Sequence, residues 1–300
     1  MTSSAAAASS NAEKKVSIVV VNYNAGDLLR LCVKNSLPQA TELIVVDNAS
    51  ADGSLDKMLD EFAGVAKLQI IRNAKNLGFA AACNLGANLS KGDFVLFLNP
   101  DCIAAEGAVQ HLAYALDADP NAGMAGGLLL NPDGLEQVGC RRAVPTPWRS
   151  MVRALHLSVF KDRWPRLFSD FNLQKQPLPT EPIVMEAISG ACTMVKRDAM
   201  KDVGPWDEVY FMHCEDLDLC MRYRKKLWTI IFVPDGRFVH FRGACSRTRP
   251  LFVEWNKHRG MMIFYRKHFK HQYPLGLMLL VWFGVCLRFV GVALLIFFRK

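Results

Sequence analysis

Residues 16–24 read VSIVVVNYN, a run of β-branched residues that ends abruptly in amides. A continuous apolar run of this kind is typical of a strand buried on both faces, as in a parallel sheet. Runs of the same type follow at residues 43–46, 68–71 and 93–98. Helices are predicted between them, at residues 27–36, at residues 53–62 and in the Ala-rich stretch after Gly78. Strands alternating with helices predict an α/β fold around a mostly parallel sheet.

Acids and amides follow each predicted strand at the point where the strand ends. They are Asn22 and Asn24, Asp47 and Asn48, Asn73 and Asn76, and Asn99 and Asp101. Open α/β sheets bind ligands at the carboxyl ends of their parallel strands. Polar loops are common at strand ends, but these clusters contain almost no Ser, Gly or Lys, which favours a binding site at this edge.

The first strand-to-helix turn reads VNYNAGDLL and lacks the glycines that phosphate-binding loops need. Neither GxGxxG nor GxxxxGK[ST] is present, which argues against a dinucleotide-dependent dehydrogenase and a P-loop NTPase. A diphosphate bound here needs another source of neutralising charge. A carboxylate-bound Mg²⁺ or Mn²⁺ would supply it, and Asp101 is the best-placed ligand.

Charge and hydropathy divide the chain into a near-neutral body and a basic, apolar tail. Residues 237–300 hold twelve Lys and Arg against a single acid, Glu254. A uniformly basic nucleic-acid binder is thereby excluded, and the expected partner of the tail is a membrane surface with anionic lipids. Residues 1–14 resemble no signal peptide and predict a disordered leader. The nine cysteines form no CxxC pair, which favours a reduced, cytosolic body.

The second half of the chain is less regular. Residues 140–182 are rich in proline and predict a long surface excursion on the acceptor side of the fold. A buried strand with a close-packed Gly190 is predicted at residues 187–195, and a helix begins near Glu215. On that helix Asp218 and Arg222 are spaced to pair at i,i+4. Two further strands are predicted at residues 230–233 and 238–241.

Six motifs in order resemble the family 2 glycosyltransferases. They are SIVVVNYN, LIVVDNASADGS, NAKNLGFAAACNLG, FVLFLNPD, SGACTMVKRDAMKDVGPWDEVYFMHCEDLDLCMR and VPDGRFVH. The resemblance runs from residue 16 to 246 and is strongest to bacterial rhamnosyltransferases of cell-wall and O-antigen polysaccharide assembly. It implies a GT-A fold, which is Rossmann-like with helices flanking the central sheet. It also implies a nucleotide-sugar donor, a divalent metal (Mg²⁺ or Mn²⁺) and inversion at the anomeric carbon.

The resemblance also assigns roles to individual positions. Those implied to contact the nucleotide sugar are Asn22, Asn24, Asp47, Asn76, Gly78 and Asn99. Asn99 stands where many relatives carry the first acid of Asp-x-Asp, so Asp101 is implied to be the main metal ligand. His240 matches the position of a second metal ligand, although a histidine at a strand end is also often structural.

The pair Glu215-Asp216 matches the acidic motif that supplies the general base in this family. Adjacent residues on a helix point about 100° apart, so both cannot face one reacting atom. Asp216 is the preferred base and Glu215 the reserve. The simpler alternative is a pair of helix N-terminal acids that complement the helix dipole.

Residues 275–298 form an apolar run with one charge, Arg288. The run is long enough to span a bilayer, but a central arginine disfavours a simple span. Two shorter interfacial pieces fit equally well, and a core helix pair is the third alternative. We expect attachment to the cytoplasmic face of the cell membrane through residues 247–300, with residues 15–246 forming the GT-A domain.

The function expected from these features is inverting transfer of a sugar from a nucleotide-sugar donor to a lipid-linked or polysaccharide acceptor. Rhamnose from dTDP-rhamnose is the favoured donor. The alternatives are a UDP- or GDP-sugar-dependent galactosyl- or mannosyltransferase of the same family and a catalytically inactive, membrane-bound scaffold. The missing first acid at Asn99 is the feature in favour of the scaffold.

Overall fold

The computed structural model describes residues 13–160, 162–168, 171–243 and 249–298. Of the predicted leader, all but the last two residues lie outside this range. The first half of the described chain follows the predicted alternation of strand and helix. Its elements are β1 (Val16–Asn22), α1 (Asp27–Ser36), β2 (Glu42–Asp47), α2 (Ser54–Phe62), β3 (Leu68–Arg72), α3 (Phe79–Leu89) and β4 (Phe94–Leu98).

After β4 strands and helices no longer alternate regularly, and several short elements are present that the sequence analysis did not predict. The elements up to the predicted excursion are β5 (Cys102–Ala104), α4 (Ala108–Ala118), β6 (Ala122–Leu130), β7 (Arg141–Arg142), α5 (Pro147–Ala154) and α6 (Pro165–Phe168). Those that follow it are β8 (Ile183–Met185), β9 (Ala187–Ile188), β10 (Cys192–Lys196), α7 (Arg197–Val203), α8 (Glu215–Lys225), β11 (Thr229–His240), α9 (Pro250–Phe269) and α10 (Leu275–Phe298).

Among the described residues, one nine-stranded sheet organises the fold. Its order is β3-β2-β1-β4-β10-β6-β11-β5, and β8 pairs with β11. Strands β3, β2, β1 and β4 are parallel, whereas β10 runs antiparallel between β4 and β6. The parallel half brings the carboxyl ends of four strands to one edge, which confirms the predicted α/β architecture there.

The core lies along the centre of the parallel half. Every residue of β1, β2 and β4 is buried, as the continuous apolar runs predict, whereas the edge strand β3 is half-buried. Helix α1 packs onto the sheet through Leu29, Cys32 and Val33, which recur at helical spacing on one face. Each buried Leu or Val side chain stabilises the fold by about 1.5–3 kcal/mol.

Two strand predictions were wrong in detail. The strand predicted at residues 187–195 is interrupted at residues 189–191, because β9 pairs with β7 while β10 joins the main sheet. Conversely, the strands predicted at 230–233 and 238–241 are one strand, β11. The turn signal at residues 234–236 forms a bulge, at which the register against β6 shifts between Val233 and Arg237.

The apolar tail forms one continuous helix, not two pieces. Helix α10 is long and apolar enough to cross a membrane, and most of its side chains are exposed. It packs against α9, where the Trp255 and Phe289 ring centroids lie 5.4 Å apart. The guanidinium of Arg288 donates to His258 Nε2 at 3.0 Å, so the one charged side chain of α10 is directed at α9.

Helix α9 in turn packs against α8. The carboxylate of Asp218 on α8 is fully buried and accepts hydrogen bonds from His268 Nε2 and Lys267 Nζ, both at 2.7 Å. Arg222 Nε donates to the same carboxylate at 2.8 Å, which confirms the predicted i,i+4 pair. Burial alone would raise the pKa of Asp218, but these three donors lower it below its ordinary range.

The predicted division of the chain into a domain up to residue 246 and a tail after it stays a prediction.

Candidate functional site

A cavity of about 730 Å³ opens at the carboxyl ends of the parallel strands, between the sheet edge and helices α5, α8 and α9. Most of the residues singled out in the sequence line it. They are Asn76, Gly78, Asn99, Asp101, Glu215, Asp216 and His240. These residues lie far apart in the chain, and the sheet edge and the N-terminus of α8 bring them together.

Asn22, Asn24 and Asp47 form a hydrogen-bonded network beside the cavity. Asn22 Nδ2 donates to Asp47 Oδ1 at 2.7 Å, and the second oxygen of Asp47 accepts from the Ser50 amide at 3.1 Å. Asn24 Oδ1 accepts from the Ala51 backbone amide, and the Asn24 backbone amide donates to Ser50 Oγ. The network holds the loops after β1 and β2 together. Its neighbours Val21, Tyr23 and Asn48 are the side chains of this region that line the cavity.

Position 78 requires glycine, because any larger residue would clash with Phe211. Its φ is +88°, and an added Cβ would lie 2.6 Å from the Phe211 carbonyl oxygen. The amide of the next residue, Phe79, donates to that same oxygen at 2.9 Å. Asn76 Oδ1 accepts from the Gly78 amide within the same turn. The bond from Phe79 to Phe211 fixes this turn, which precedes α3, against the segment that precedes α8.

Asp101 and His240 face each other in the floor of the cavity. His240 Nε2 lies 3.2 Å from Asp101 Oδ1, and both side chains are buried. Gln137 Oε1 lies 2.6 Å from His240 Nδ1, and Gln137 Nε2 donates to Asn131 Oδ1 and to the His240 carbonyl. Gln137 Oε1 therefore accepts a proton held on His240 Nδ1, which directs the other ring nitrogen, Nε2, at the carboxylate.

A buried carboxylate is stabilised by a neighbouring positive charge, which a proton on His240 Nε2 or a bound metal ion can supply. Apart from His240 Nε2, Asp101 Oδ1 has no potential hydrogen-bond donor among the described residues, so it can serve as a metal ligand. Cys102 also lies within reach, but burial raises the pKa of its thiol well above the ordinary value and its Sγ donates to the Ala191 carbonyl. The pair Asp101 and His240 therefore fits a divalent cation.

The acidic pair lies at the N-terminus of α8, after two residues in the left-handed region. His213 and Cys214 have φ of 65° and 70°, a conformation that costs about 1–3 kcal/mol each and that functional sites often contain. Glu215 is buried and its Oε2 atom has no donor among the described residues. Burial and the neighbouring charge of Asp216 raise the pKa of Glu215 to about 8.

Asp216 is held by three donors. Its Oδ2 atom forms an ion pair with Arg142 and accepts from the Gly190 amide at 3.0 Å, while Oδ1 accepts from the Leu217 amide at 2.7 Å. An added Cβ at Gly190 would lie 2.9 Å from the Asp216 Cβ, so the predicted close packing of Gly190 is against this acid. The carboxylate is therefore fixed in position by the Arg142 side chain and two backbone amides.

Sequence reasoning missed several side chains of the cavity. Gln137, Arg142, Arg153 and Lys257 line it, yet none belongs to a motif quoted above. Arg142 and Arg153 lie in the proline-rich excursion and Lys257 lies on α9, so only tertiary structure brings them to the sheet edge. For the two arginines alone the sequence held a signal, since Lys and Arg outnumber Asp and Glu in residues 140–182.

A curled sheet with a parallel N-terminal half, an acid and a histidine after its strands, and an acidic pair on a helix above them define the GT-A class of glycosyltransferase fold. The sequence model of glycosyl transferase family 2 matches residues 17–204, more than half of the chain. The chain belongs to glycosyl transferase family 2.

Comparison with known proteins supports both assignments. The N-acetylglucosaminyl-diphospho-decaprenol L-rhamnosyltransferase of Mycobacterium tuberculosis is 29% identical over 262 residues, which cover 82% of each chain. The solved structure of GalNAc-T7 with UDP, GalNAc and Mn²⁺ has a TM-score of 0.59 at 18% identity and covers 88% of this chain. Our chain spans only 52% of that protein.

A second solved structure is the mannosyltransferase PcManGT of Pyrobaculum calidifontis in complex with GDP-Man and Mn²⁺. Its TM-score is 0.56 at 16% identity, with 90% of this chain and 69% of that chain covered. At these identities the two solved structures show a shared GT-A fold, which confirms the predicted architecture.

Proposed function

We propose that this protein is an inverting, divalent-metal-dependent transferase that moves a sugar from a nucleotide-sugar donor to a lipid-linked acceptor. The observation that carries the proposal is the buried pair Asp101 and His240, whose Oδ1 and Nε2 atoms lie 3.2 Å apart in the same cavity as Asp216. A bound Mg²⁺ or Mn²⁺ neutralises the charge of the leaving nucleoside diphosphate. Asp101 and His240 would hold it.

The donor sugar we propose is rhamnose from dTDP-rhamnose, transferred at the cytoplasmic face of the membrane. The support is the mycobacterial relative, whose name specifies a rhamnosyltransferase acting on N-acetylglucosaminyl-diphospho-decaprenol. The apolar α10, which is long enough to cross a bilayer, would keep the cavity near such an acceptor. The roles proposed for Asn76, Gly78 and Asn99 are contacts with the donor at the sheet edge.

We propose Asp216 as the general base. The acceptor hydroxyl attacks the anomeric carbon opposite the bond to the diphosphate, that bond breaks, and the hydroxyl proton passes to a carboxylate. A base must be unprotonated before the reaction. The Asp216 carboxylate is held in position by Arg142 and by the Gly190 and Leu217 amides, whereas an acid with a pKa of about 8, as Glu215 has, is mostly protonated at pH 7.

Glu215 is the second candidate because its Oε2 atom has no donor and its pKa lies near the pH at which proton transfer is most efficient. Comparing Asp216→Asn with Glu215→Gln separates the two. Loss of a general base costs about 10²–10⁴-fold in rate, so we expect Asp216→Asn to lose turnover by that factor and still bind donor. If only Glu215→Gln loses turnover, and wild-type turnover rises with pH through about 8, Glu215 is the base.

The proposed function is tested with purified full-length protein and a panel of dTDP-, UDP- and GDP-sugars, measuring release of nucleoside diphosphate with and without a lipid-diphosphate acceptor. We expect Mn²⁺- or Mg²⁺-dependent turnover with dTDP-rhamnose that chelator abolishes. Turnover with a UDP- or GDP-sugar instead would replace the donor assignment. No turnover with any donor would support the inactive scaffold.

A further inference from the structure

The cavity has a second wall whose chemistry differs from that of the sheet edge. The sheet edge offers amides, Asp101 and His240, whereas α5, α9 and residues 171–172 form a wall that we name the tail-side wall. Its residues are Pro145, Ser150, Arg153, Phe171, Asn172, Val253, Lys257, Met261, Phe264 and Tyr265. Among these described residues there is no carboxylate, and two cations stand among apolar and aromatic side chains.

Helix α9 presents one face to the cavity and another to α10. Val253, Lys257, Met261 and Phe264 recur every three or four residues and line the cavity. The opposite face, which includes Arg259, lines a separate apolar groove against α10. Lys257 is therefore directed into the cavity, whereas Arg259, two residues further along the helix, is directed away from it.

Two contacts fix this wall beside the acidic pair. An added Cβ at Gly260 would lie 2.6 Å from the His213 carbonyl oxygen, so α9 packs directly on the segment that leads into Glu215. Tyr265 and Ser150 share a hydrogen bond of 2.7 Å, which ties α9 to α5. The cations of the tail-side wall thus stand near the end of the cavity where the acceptor hydroxyl must meet its base.

Lys257, which lines the cavity, can reach an anionic ligand there. Lys257 is partly exposed, and its Nζ donates to Glu254 Oε1 at 3.2 Å in an i,i+3 pair whose acid is largely buried. The guanidinium of Arg153 lies over the Phe171 ring, 5.0 Å from its centroid. The metal that would neutralise the donor diphosphate would lie at Asp101 and His240, on the sheet edge and not on the tail-side wall.

We propose that the tail-side wall binds the diphosphate of a lipid-diphosphate-linked sugar acceptor, with Lys257 as its principal cation. The partly exposed apolar side chains Val253 and Met261 on the same helix face would cover the first isoprenoid units, and α10 lies behind that helix, where the lipid would leave for the bilayer. The proposal rests on the proposed function, because it names the subsite that an acceptor of that class would occupy.

The test compares full-length wild type, Lys257→Met and Arg259→Met with two acceptors that carry the same sugar. One is farnesyl-diphospho-N-acetylglucosamine and the other is octyl N-acetylglucosaminide, which has no phosphate. A charge-assisted hydrogen bond contributes about 1.5–3 kcal/mol, so Lys257→Met should raise the KM of the diphosphate acceptor about 10–100-fold. The KM of the donor and the kinetics with the octyl acceptor should not change, and Lys257→Arg should restore most of the loss.

Arg259→Met is the matched control, since it removes an exposed cation from the same helix outside the cavity. The inference is overturned if Lys257→Met affects both acceptors equally, if it affects neither, or if Arg259→Met has the same effect. A binding measurement that needs no turnover gives a second readout. Farnesyl diphosphate should raise the melting temperature of wild type and Arg259→Met more than that of Lys257→Met.

Failure of the proposed function has a different signature. If wild-type protein turns over no nucleotide sugar with either acceptor, the transferase assignment fails. If wild type uses the octyl acceptor as well as the diphosphate acceptor, and the variants match it, the transferase assignment stands and the diphosphate subsite is wrong.

Discussion

At the scale of single residues, the orientation of His240 depends on a side chain that no motif includes. Gln137 is buried, and its amide contacts both the ring and the carbonyl of His240. A histidine that binds a metal through one ring nitrogen usually donates its other N–H to a fixed acceptor, which sets the tautomer. Gln137 is that acceptor here, so the affinity of the site for metal depends on it.

The substitution Gln137→Met keeps the side-chain length and removes the acceptor. We expect it to weaken Mn²⁺ binding by about 10–100-fold, the range found when such outer partners are lost. Electron paramagnetic resonance of free Mn²⁺ in a titration measures this without any turnover. Gln272→Met, an exposed change near the end of α9, is the control, and equal Mn²⁺ affinity in both variants would contradict the role of Gln137.

Glu215 gives a second prediction at this scale, from its pKa. The group has an ordinary pKa of 4.5 when unfolded and about 8 when folded. Between these values the folded protein retains a proton that the unfolded chain has lost, so the free energy of unfolding falls as the pH rises. Glu215→Gln removes this term and should raise stability relative to wild type at pH 8 but not at pH 4, by on the order of a few kcal/mol.

Thermal melting at the two pH values measures the difference, and comparing variant with wild type at each pH cancels the other titrating groups. The exposed Glu106→Gln serves as the control. A Glu215→Gln variant whose stability relative to wild type is the same at pH 4 and pH 8 would show that Glu215 titrates normally in the folded protein.

At the scale of elements, the break between β9 and β10 creates the contact on which Asp216 depends. The chain leaves β9 at residue 189, and the Gly190 amide donates to Asp216 at the first turn of α8. The Asn99 amide meanwhile donates to the Ala191 carbonyl at 2.9 Å, so the same segment also positions the loop that carries Asp101. One short break thus connects the acidic pair to the candidate metal ligands.

Gly190→Ala should therefore damage activity more than stability. The new methyl would lie 2.9 Å from the Asp216 Cβ, so the N-terminus of α8 must shift. Such overpacking costs about 1–3 kcal/mol, and a misplacement of about 1 Å near the chemistry can cost 10²-fold in rate. Turnover and thermal melting are compared with Gly284→Ala on α10, which meets open space; equal activity in the two variants would refute this expectation.

The sequence predicts an element well where the hydrophobic pattern of that element by itself identifies it. β1, β2 and β4 are continuous apolar runs because both of their faces are covered, and α1 was predicted at its observed bounds. β6 was not predicted, because its sequence AGMAGGLLL lacks the run of large apolar residues that marked the other strands. Its Gly126 and Gly127 are required by packing, since Ile188 and Phe238 leave no room for a Cβ. Gln137 and Lys257 could not be predicted, since neither carries a local pattern and only tertiary packing brings them to the cavity.

At the scale of the whole molecule, the tail is part of the site as well as a candidate anchor. α9 lines the cavity and is fixed to α8 through Asp218, whereas α10 contributes mainly exposed apolar surface. The two tail helices therefore differ in role. Removing α10 and removing both helices should have different consequences.

Truncation after Tyr273 removes α10 and keeps α9. We expect the truncated protein to stay folded, to keep its turnover of donor in solution, and to bind anionic vesicles much more weakly than the full chain. Co-sedimentation with vesicles of mixed phosphatidylglycerol and phosphatidylcholine measures the binding. Equal partitioning of the two proteins would contradict attachment through α10, and a carbonate wash of full-length protein distinguishes a spanning helix from an interfacial one.

The short connection between α9 and α10 has a consequence for how the enzyme would find its acceptor. Only residues 270–274 separate the two helices, and five extended residues reach roughly 17 Å at most. With α10 in a bilayer, the catalytic body would be confined to a thin layer over the lipid, and the search for the acceptor would take place in two dimensions. A body held in such a layer would meet lipid-borne acceptors at a raised local concentration, so a modest intrinsic affinity for each acceptor headgroup would suffice for rapid encounter and easy release.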